Sequence, residues 1–154
     1  MIERFRVVPA AYVVFRRRTA AGSQVLLQLR QGTGYLDGYW ACGAAGHVEA
    51  GESVLAAACR ETLEELGIQV RQADLVPLCT MHRTTGTAWF DERVDFFFEC
   101  WRWTGDPRPV EADRAADLRW YQLDDLPDPV VPHELAVLAT LRGAGPDPIV
   151  TYGF

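Results

Sequence analysis

Apolar and polar residues are arranged so that most elements of the chain can be read from them. Ala11–Phe15 and Gln24–Leu29 are rich in apolar and β-branched residues. The turn residues Thr19-Ala20-Ala21-Gly22-Ser23 lie between them, so the two segments predict a β-hairpin. On this reading the Arg16-Arg17-Arg18 run falls at a solvated hairpin tip. Between Ser53 and Leu66, the residues Leu55, Ala58, Cys59, Thr62 and Leu66 recur at i, i+3, i+4, i+7 and i+11, the buried stripe of a helix. Ser53 suits its N-cap and Gly67 the position just past its C-terminus. Downstream, Leu75–Met81, Arg93–Trp103 and Leu118–Tyr121 predict strands. In the second of these, Val94, Phe96, Phe98 and Cys100 alternate against Asp95, Phe97, Glu99 and Trp101. Pro127, Pro129 and Pro132 mark a loop, and Pro132 opens a short helix through Leu141. The Gly/Pro-rich tail from Gly143 is read as irregular. Strands before and after a central helix predict an α/β or α+β fold layered around a mixed sheet. No repeat or linker interrupts the chain, which predicts a single domain over residues 1–154.

One segment breaks this regularity. From Gly32 to Gly46 the glycines Gly32, Gly34, Gly38, Gly43 and Gly46 are mixed with Tyr35, Tyr39 and Trp40, as in a loop that carries binding residues.

Composition narrows the function. With 49% hydrophobic and 23% charged residues, the 154-residue chain is not a disordered one. Its net charge of −6 lacks the basic footprint of a duplex nucleic-acid binder, but a small nucleotide with a bound cation remains compatible. No apolar run approaches the length of a membrane span, so no membrane partner is expected. Arg4 and Arg6 before Val7–Phe15 imitate a signal peptide, yet Pro9 interrupts the stretch and the arginine run ends it; it reads as a strand. Cys42, Cys59, Cys79 and Cys100 form no C-x-x-C pair and no zinc-site spacing, which predicts buried free thiols in a reducing cytoplasm.

The densest chemistry lies on the central helix. Glu61, Glu64 and Glu65 share one side of it, Glu61 and Glu65 bordering the buried stripe and Glu64 further round towards Arg60. Glu61 and Glu65 form a like-charge pair at i,i+4, which costs a helix about 0.2–0.5 kcal/mol unless something compensates it. Clustered carboxylates beside a glycine-rich loop suit a hard cation such as Mg²⁺, which takes oxygen ligands and keeps waters and substrate phosphates in its shell. Upstream, Glu52 adds a carboxylate, and the Gly46 carbonyl can approach a metal closely because no side chain blocks it.

These residues resemble the box of the Nudix hydrolase family, G-x5-E-x7-R-E-U-x-E-E-x-G-U with U aliphatic. Here it runs from Gly46 through Glu52, Arg60-Glu61-Thr62 and Glu64-Glu65 to Gly67-Ile68. Thr62 departs from the aliphatic position, and Ala44-Ala45-Gly46 stands where many members have Pro-Gly-Gly. Softer similarities extend over Gly34–Trp40, the N-terminal hairpin and Leu118–Pro127. The resemblance, MutT-like, implies an α/β/α sandwich with a mixed sheet. It also implies metal-dependent hydrolysis of a pyrophosphate bond in a nucleoside diphosphate linked to a further group, nucleoside triphosphates included. By motif it implies that Glu61 and Glu65 ligate Mg²⁺ or Mn²⁺, that Glu64 adds a ligand or positions the water, and that the Gly46 carbonyl contributes. Arg60 would pair with Glu52 and hold helix against loop. The general base is left open between a box glutamate and a later acid, Asp91, Glu92, Glu111 or Asp113.

For the rest of the substrate, Arg30, Tyr35, Trp40 and His47 are the candidate binding residues, with Tyr39, Trp89, Phe90 and Phe97 as further stacking surfaces and Arg83 as a phosphate candidate. Asp37 reads as a turn residue before Gly38, and His82 and His133 as peripheral. The expected partner is a small-molecule nucleotide; a homodimer stays open. Two other classes fit the same fold. One is an isopentenyl-diphosphate isomerase, with Trp40-Ala41-Cys42 echoing its cysteine segment; the other is a non-catalytic nucleotide-binding module, which the complete set of box glutamates disfavours.

Overall fold

In a computed structural model, residues 2–86 and 92–154 are described. The longest strand, β1 (Val8–Thr19), organises the rest. Its residues Ala10–Arg16 are all buried, and the apolar run Ala10–Phe15 within them meets core on both faces. It turns into β2 (Gly22–Arg30) through a tight connection, with Thr19 paired to Gly22. The turn is therefore shorter than the sequence predicts, and Arg16–Arg18 lie within the strand.

The region read as an irregular loop contains two short strands, β3 (Trp40–Cys42) and β4 (Ala44–His47). They are separated by Gly43 alone yet join different neighbours: β3 pairs with β2, and β4 pairs with β1 over Ala10–Val13. A Cβ on Gly43 would come within 2.9 Å of Phe15 and 3.4 Å of the Leu26 carbonyl, so the crossing needs glycine. Helix α1 (Val54–Leu66) follows as predicted: Ser53 accepts from the Ala56 N–H, and Gly67, at φ 67°, donates back to the Leu63 carbonyl. Next come β5 (Val76–Arg83), β6 (Arg93–Cys100), β7 (Ala115–Gln122), α2 (Pro132–Leu138) continued by a 3-10 turn at Ala139–Arg142, and β8 (Ile149–Tyr152). The tail read as irregular thus supplies an edge strand, parallel to β5.

The strands run in the order β3-β2-β1-β6-β5-β8, with β4 on β1 and β7 on β2. β1 is parallel to β6 and antiparallel to β2 and β4, which makes the sheet mixed. Two cores flank it. Ala11, Val13, Phe15 and Phe98 pack with Ala57, Ala58 and Leu66 of α1. Ala10, Tyr12, Val14 and Phe97 pack with Val137 and Leu138 of α2. Because β1 passes from β4 to β2 along its length, the strands diverge at Gly43, and a cleft opens there.

The arginine run is only partly solvated: Arg17 and Arg18 are exposed as expected, but Arg16 is not, and all three guanidiniums lie over rings. The Arg16 and Arg18 guanidiniums lie 4.7 and 4.9 Å from the Trp101 ring, and Arg17 lies 4.3 Å from that of Trp120. Arg16 is itself buried and paired with Glu99 at 3.0 Å.

Candidate active site

A cleft of about 850 Å³ lies where the strands diverge. Glu61, Glu64 and Glu65 reach it from α1, Gly46 and His47 from β4, Arg30 from β2, and His133 and Glu134 from α2. The loop at Gly46 meets the helix very closely: a Cβ there would fall 2.0 Å from Glu61 Cδ, so only glycine leaves Glu61 its place. Glu65 reaches the outer edge of β4, where its Oε2 accepts the Ala45 N–H at 2.8 Å. Burial pushes the Glu65 carboxyl up to about 8, and the nearby Glu61 and Glu111 add to the shift. Burial also raises Glu61, against the opposing effect of Arg60.

Arg60 ties the box together. Its Nε and Nη2 reach Glu52 at 2.7 and 2.9 Å, a bidentate pair, and Nη2 also donates to the His47 carbonyl at 3.1 Å. Its Nη1 lies 2.7 Å from Glu61 and 3.2 Å from Glu64. Hydrogen bonds from Arg60 hold the Glu52 carboxyl down at about 2. The predicted pairing of Arg60 with Glu52 is present, and the guanidinium relieves Glu61 and Glu64 as well.

Among the described residues, no three His, Cys, Asp or Glu side chains are gathered closely enough to form a ready cage for a metal. The donor set nonetheless fits a hard divalent cation. Glu61 and Glu65 are carboxylates one turn apart, both destabilised as anions by burial, and both face bare backbone at Ala45 and Gly46. Mg²⁺ needs only one or two such carboxylates, since water and substrate phosphates complete its shell.

The other sequence candidates separate clearly. Arg30, Tyr35 and His47 line the cleft. Arg30 is braced by the Tyr35 carbonyl and the Thr33 hydroxyl, both at 2.9 Å. His47 Nε2 faces Arg93 at 2.7 Å, and burial lowers its affinity for a proton. Trp40 is not brought into the cleft; it packs edge-on against Tyr121 and the α2-side core, because β3 is held in place by the chain leading into α2. Phe97 is core, stacked on Tyr12 at 4.6 Å. Asp37 is the turn residue expected, accepting from the Thr33 and Gly34 N–H groups at 3.1 Å. Of the later acids, Glu111 lines the cleft near Glu61 and Glu65, whereas Glu92 pairs with His82 at 3.0 Å. Asp91, Trp89 and Phe90 lie outside the described residues.

Three residues differ from their sequence reading or were missed. His133 is not peripheral: it is 5% exposed, its Nε2 is 3.2 Å from the Tyr12 hydroxyl, and burial drops its pKa to about 3. Arg83 is also buried and is paired with Asp95, which neutralises it. Glu134, which has no motif to mark it, is buried against the cleft; its Oε1 accepts the Cys42 N–H at 2.7 Å and burial raises it to about 7. The only sequence signal for it was its place in the first turn after Pro132. Cys42 is completely buried and its thiol is pushed well up, which removes the accessible thiolate that isomerase chemistry requires.

This fold and box define a hydrolase class. The NUDIX domain matches residues 6–141, and the chain belongs to that family. It is a Nudix hydrolase, of a family that cleaves pyrophosphate bonds and generally uses divalent metal ions. Among solved structures it is similar to a MutT NUDIX hydrolase from Burkholderia pseudomallei, at 29% identity and TM-score 0.76 over 87% of this chain and 97% of that one. The E. coli ORF135 protein shares the fold at 22% identity and TM-score 0.68, over 92% and 95% of the two chains. RenU, a Nudix hydrolase from M. Smegmatis, shares it at 24% identity and TM-score 0.61, over 91% and 87%. No curated protein matches the chain.

Proposed function

We propose that this chain hydrolyses a pyrophosphate bond in a small nucleotide, a nucleoside diphosphate linked to a further group such as a nucleoside triphosphate, with Mg²⁺ as cofactor and Mn²⁺ able to replace it. The observation that carries this reading is the packing of Glu61 and Glu65 against the bare backbone at Ala45–Gly46, inside the cleft. Glu61, Glu65, Glu64 and the Gly46 carbonyl would hold the metal. When bound, the ion neutralises the phosphates, polarises the attacked phosphorus and acidifies a water. Arg60 and Glu52 keep α1 and the loop in register. Arg30 and His47 bind the anionic part of the substrate, and Tyr35 offers its exposed ring. Glu111 is the best-placed later acid to take a proton from the attacking water, with the box glutamates as the other candidates. A single domain in a reducing cytoplasm fits this role and the four free thiols.

The test is a nucleotide panel assayed with and without Mg²⁺, with Glu65→Gln as the blank. Turnover confined to the unmutated protein with metal is expected. Equal turnover by folded Glu65→Gln would remove Glu65 from the metal site, and silence across the panel would favour a binding module.

A further inference from the structure

The loop of residues 31–39, between β2 and β3, is more tightly bonded than a connection requires. It closes on Arg30: the Arg30 N–H donates to the Tyr39 carbonyl at 2.9 Å, and the Arg30 carbonyl accepts the Gly38 N–H at 2.8 Å. Inside the loop Leu36 holds a φ of 47°, a backbone region that a leucine takes only when its surroundings impose it. The Asp37 carboxylate is what imposes order. Its Oδ1 accepts from the Thr33 N–H at 3.1 Å and the Thr33 hydroxyl at 2.6 Å, and its Oδ2 accepts from the Gly34 N–H at 3.1 Å.

These bonds fix the direction of the Thr33 hydroxyl, which has one proton and two lone pairs. The Tyr35 carbonyl, at 3.0 Å, competes for that proton, but the charged acceptor at 2.6 Å is the stronger one. With the proton on Asp37, the lone pairs meet the Tyr35 N–H at 3.2 Å and Arg30 Nη2 at 2.9 Å. The Tyr35 carbonyl is then left for Arg30 Nε, also at 2.9 Å. Both acceptors on the guanidinium are neutral. Asp37 and Glu134 lie close enough to feel its charge, yet the hydrogen bonds that orient it come from a hydroxyl and a carbonyl. A carboxylate bonded directly to Arg30 would also orient it, but would occupy the fork that an anion needs.

We propose that Asp37 and Thr33 are positioning residues, which hold the Arg30 guanidinium facing the cleft and so raise its affinity for a substrate phosphate. This rests on the reading above that Arg30 meets the anionic part of the substrate. A long side chain already fixed in its bound pose loses less freedom when the ligand arrives.

The experiment measures the affinity for inorganic pyrophosphate with Mg²⁺ by calorimetry, and KM and kcat on the nucleotide panel. The variants are Asp37→Asn, Thr33→Val and Thr33→Ser, each made in the unmutated protein and in Arg30→Ala. Asp37→Asn turns one acceptor into a donor facing the Gly34 N–H. Thr33→Val removes only the hydroxyl, and it carries the test if Asp37→Asn does not fold. Asp37→Asn and Thr33→Val should each weaken pyrophosphate binding and raise KM by about three- to tenfold, with kcat unchanged. Thr33→Ser should behave as the unmutated protein. In Arg30→Ala the same substitutions should have no further effect, because residues that act through Arg30 then have nothing to act on. Equal losses with and without Arg30, unchanged affinity in the folded variants, or no pyrophosphate binding by the unmutated protein would overturn the proposal. The expected binding losses without turnover of any nucleotide would overturn the hydrolase reading alone, so the two failures are distinct.

Discussion

Gly46 carries no side chain because Glu61 occupies the place one would fill, with Cδ 2.0 Å and Oε1 2.1 Å from a Cβ built there. Gly46→Ala is therefore expected to displace Glu61 and lower kcat about 100-fold, near 2.7 kcal/mol of transition-state stabilisation. A turnover assay on the folded variant checks this, and near-normal kcat would show that Glu61 can move without loss. Thr62 makes the opposite case. It is completely buried and its Oγ1 has no hydrogen-bond partner among the described residues, at the box position where an aliphatic residue is usual. Thr62→Val removes a hydroxyl that gains nothing, so stability should rise by about 1 kcal/mol with activity unchanged. The readout is a denaturant midpoint; a lower midpoint would mean that the hydroxyl is satisfied in solution.

At the scale of elements, α1 and the loop before it act as one unit through Arg60, which bonds Glu52, Glu61, Glu64 and the His47 carbonyl. A lysine keeps the charge but cannot span these acceptors with a planar fork. Arg60→Lys should cost about 1–2 kcal/mol of stability and also reduce turnover, since both box carboxylates lose their register. Unchanged urea unfolding and kcat would make the network dispensable. That helix was legible in the sequence because its signals are local: a cap, a stripe and a terminating glycine. The hairpin was legible except at its turn, where pairing of Thr19 with Gly22 carries Arg16–Arg18 into the strand. Nothing local reveals that Trp101 and Trp120, far along the chain, provide faces for those guanidiniums. β3, β4 and β8 were missed for a related reason: each has three or four residues and is ordered by a neighbouring strand edge rather than by its own pattern.

For the whole molecule, the box located the α1 end of the cleft, since its spacing fixes which residues share a helix side and Glu61, Glu64 and Glu65 all line the cleft. The α2 end had no such spacing. His133 and Glu134 reach the cleft because Trp40 binds the backbone of Pro129 and Val131, at 2.9 and 2.8 Å, and that is a tertiary event. Their burial has a measurable consequence. Between pH 3 and 6.5 the unfolded chain protonates His133 while the folded one does not, so this group makes stability rise with pH. Glu134 acts in the other direction. Its folded value near 7 lies above the ordinary 4.5, so the folded state holds a proton that the unfolded state has lost, and stability falls as pH rises between those values. Glu65, near 8, extends the fall. Above pH 6.5 the rise from His133 is complete and only the carboxyl effects remain. The metal-free protein should thus melt several degrees lower at pH 8 than at pH 6.5, at about 2–4 °C per kcal/mol for a chain of this size. Glu134→Gln should shrink the part of that drop lying below pH 7. Mg²⁺ should restore the melting temperature more at pH 8 than at pH 6, because a cation and a proton compete for the same carboxylates. A melting temperature flat across this interval, or an Mg²⁺ effect independent of pH, would show that water reaches both carboxyls in the folded protein.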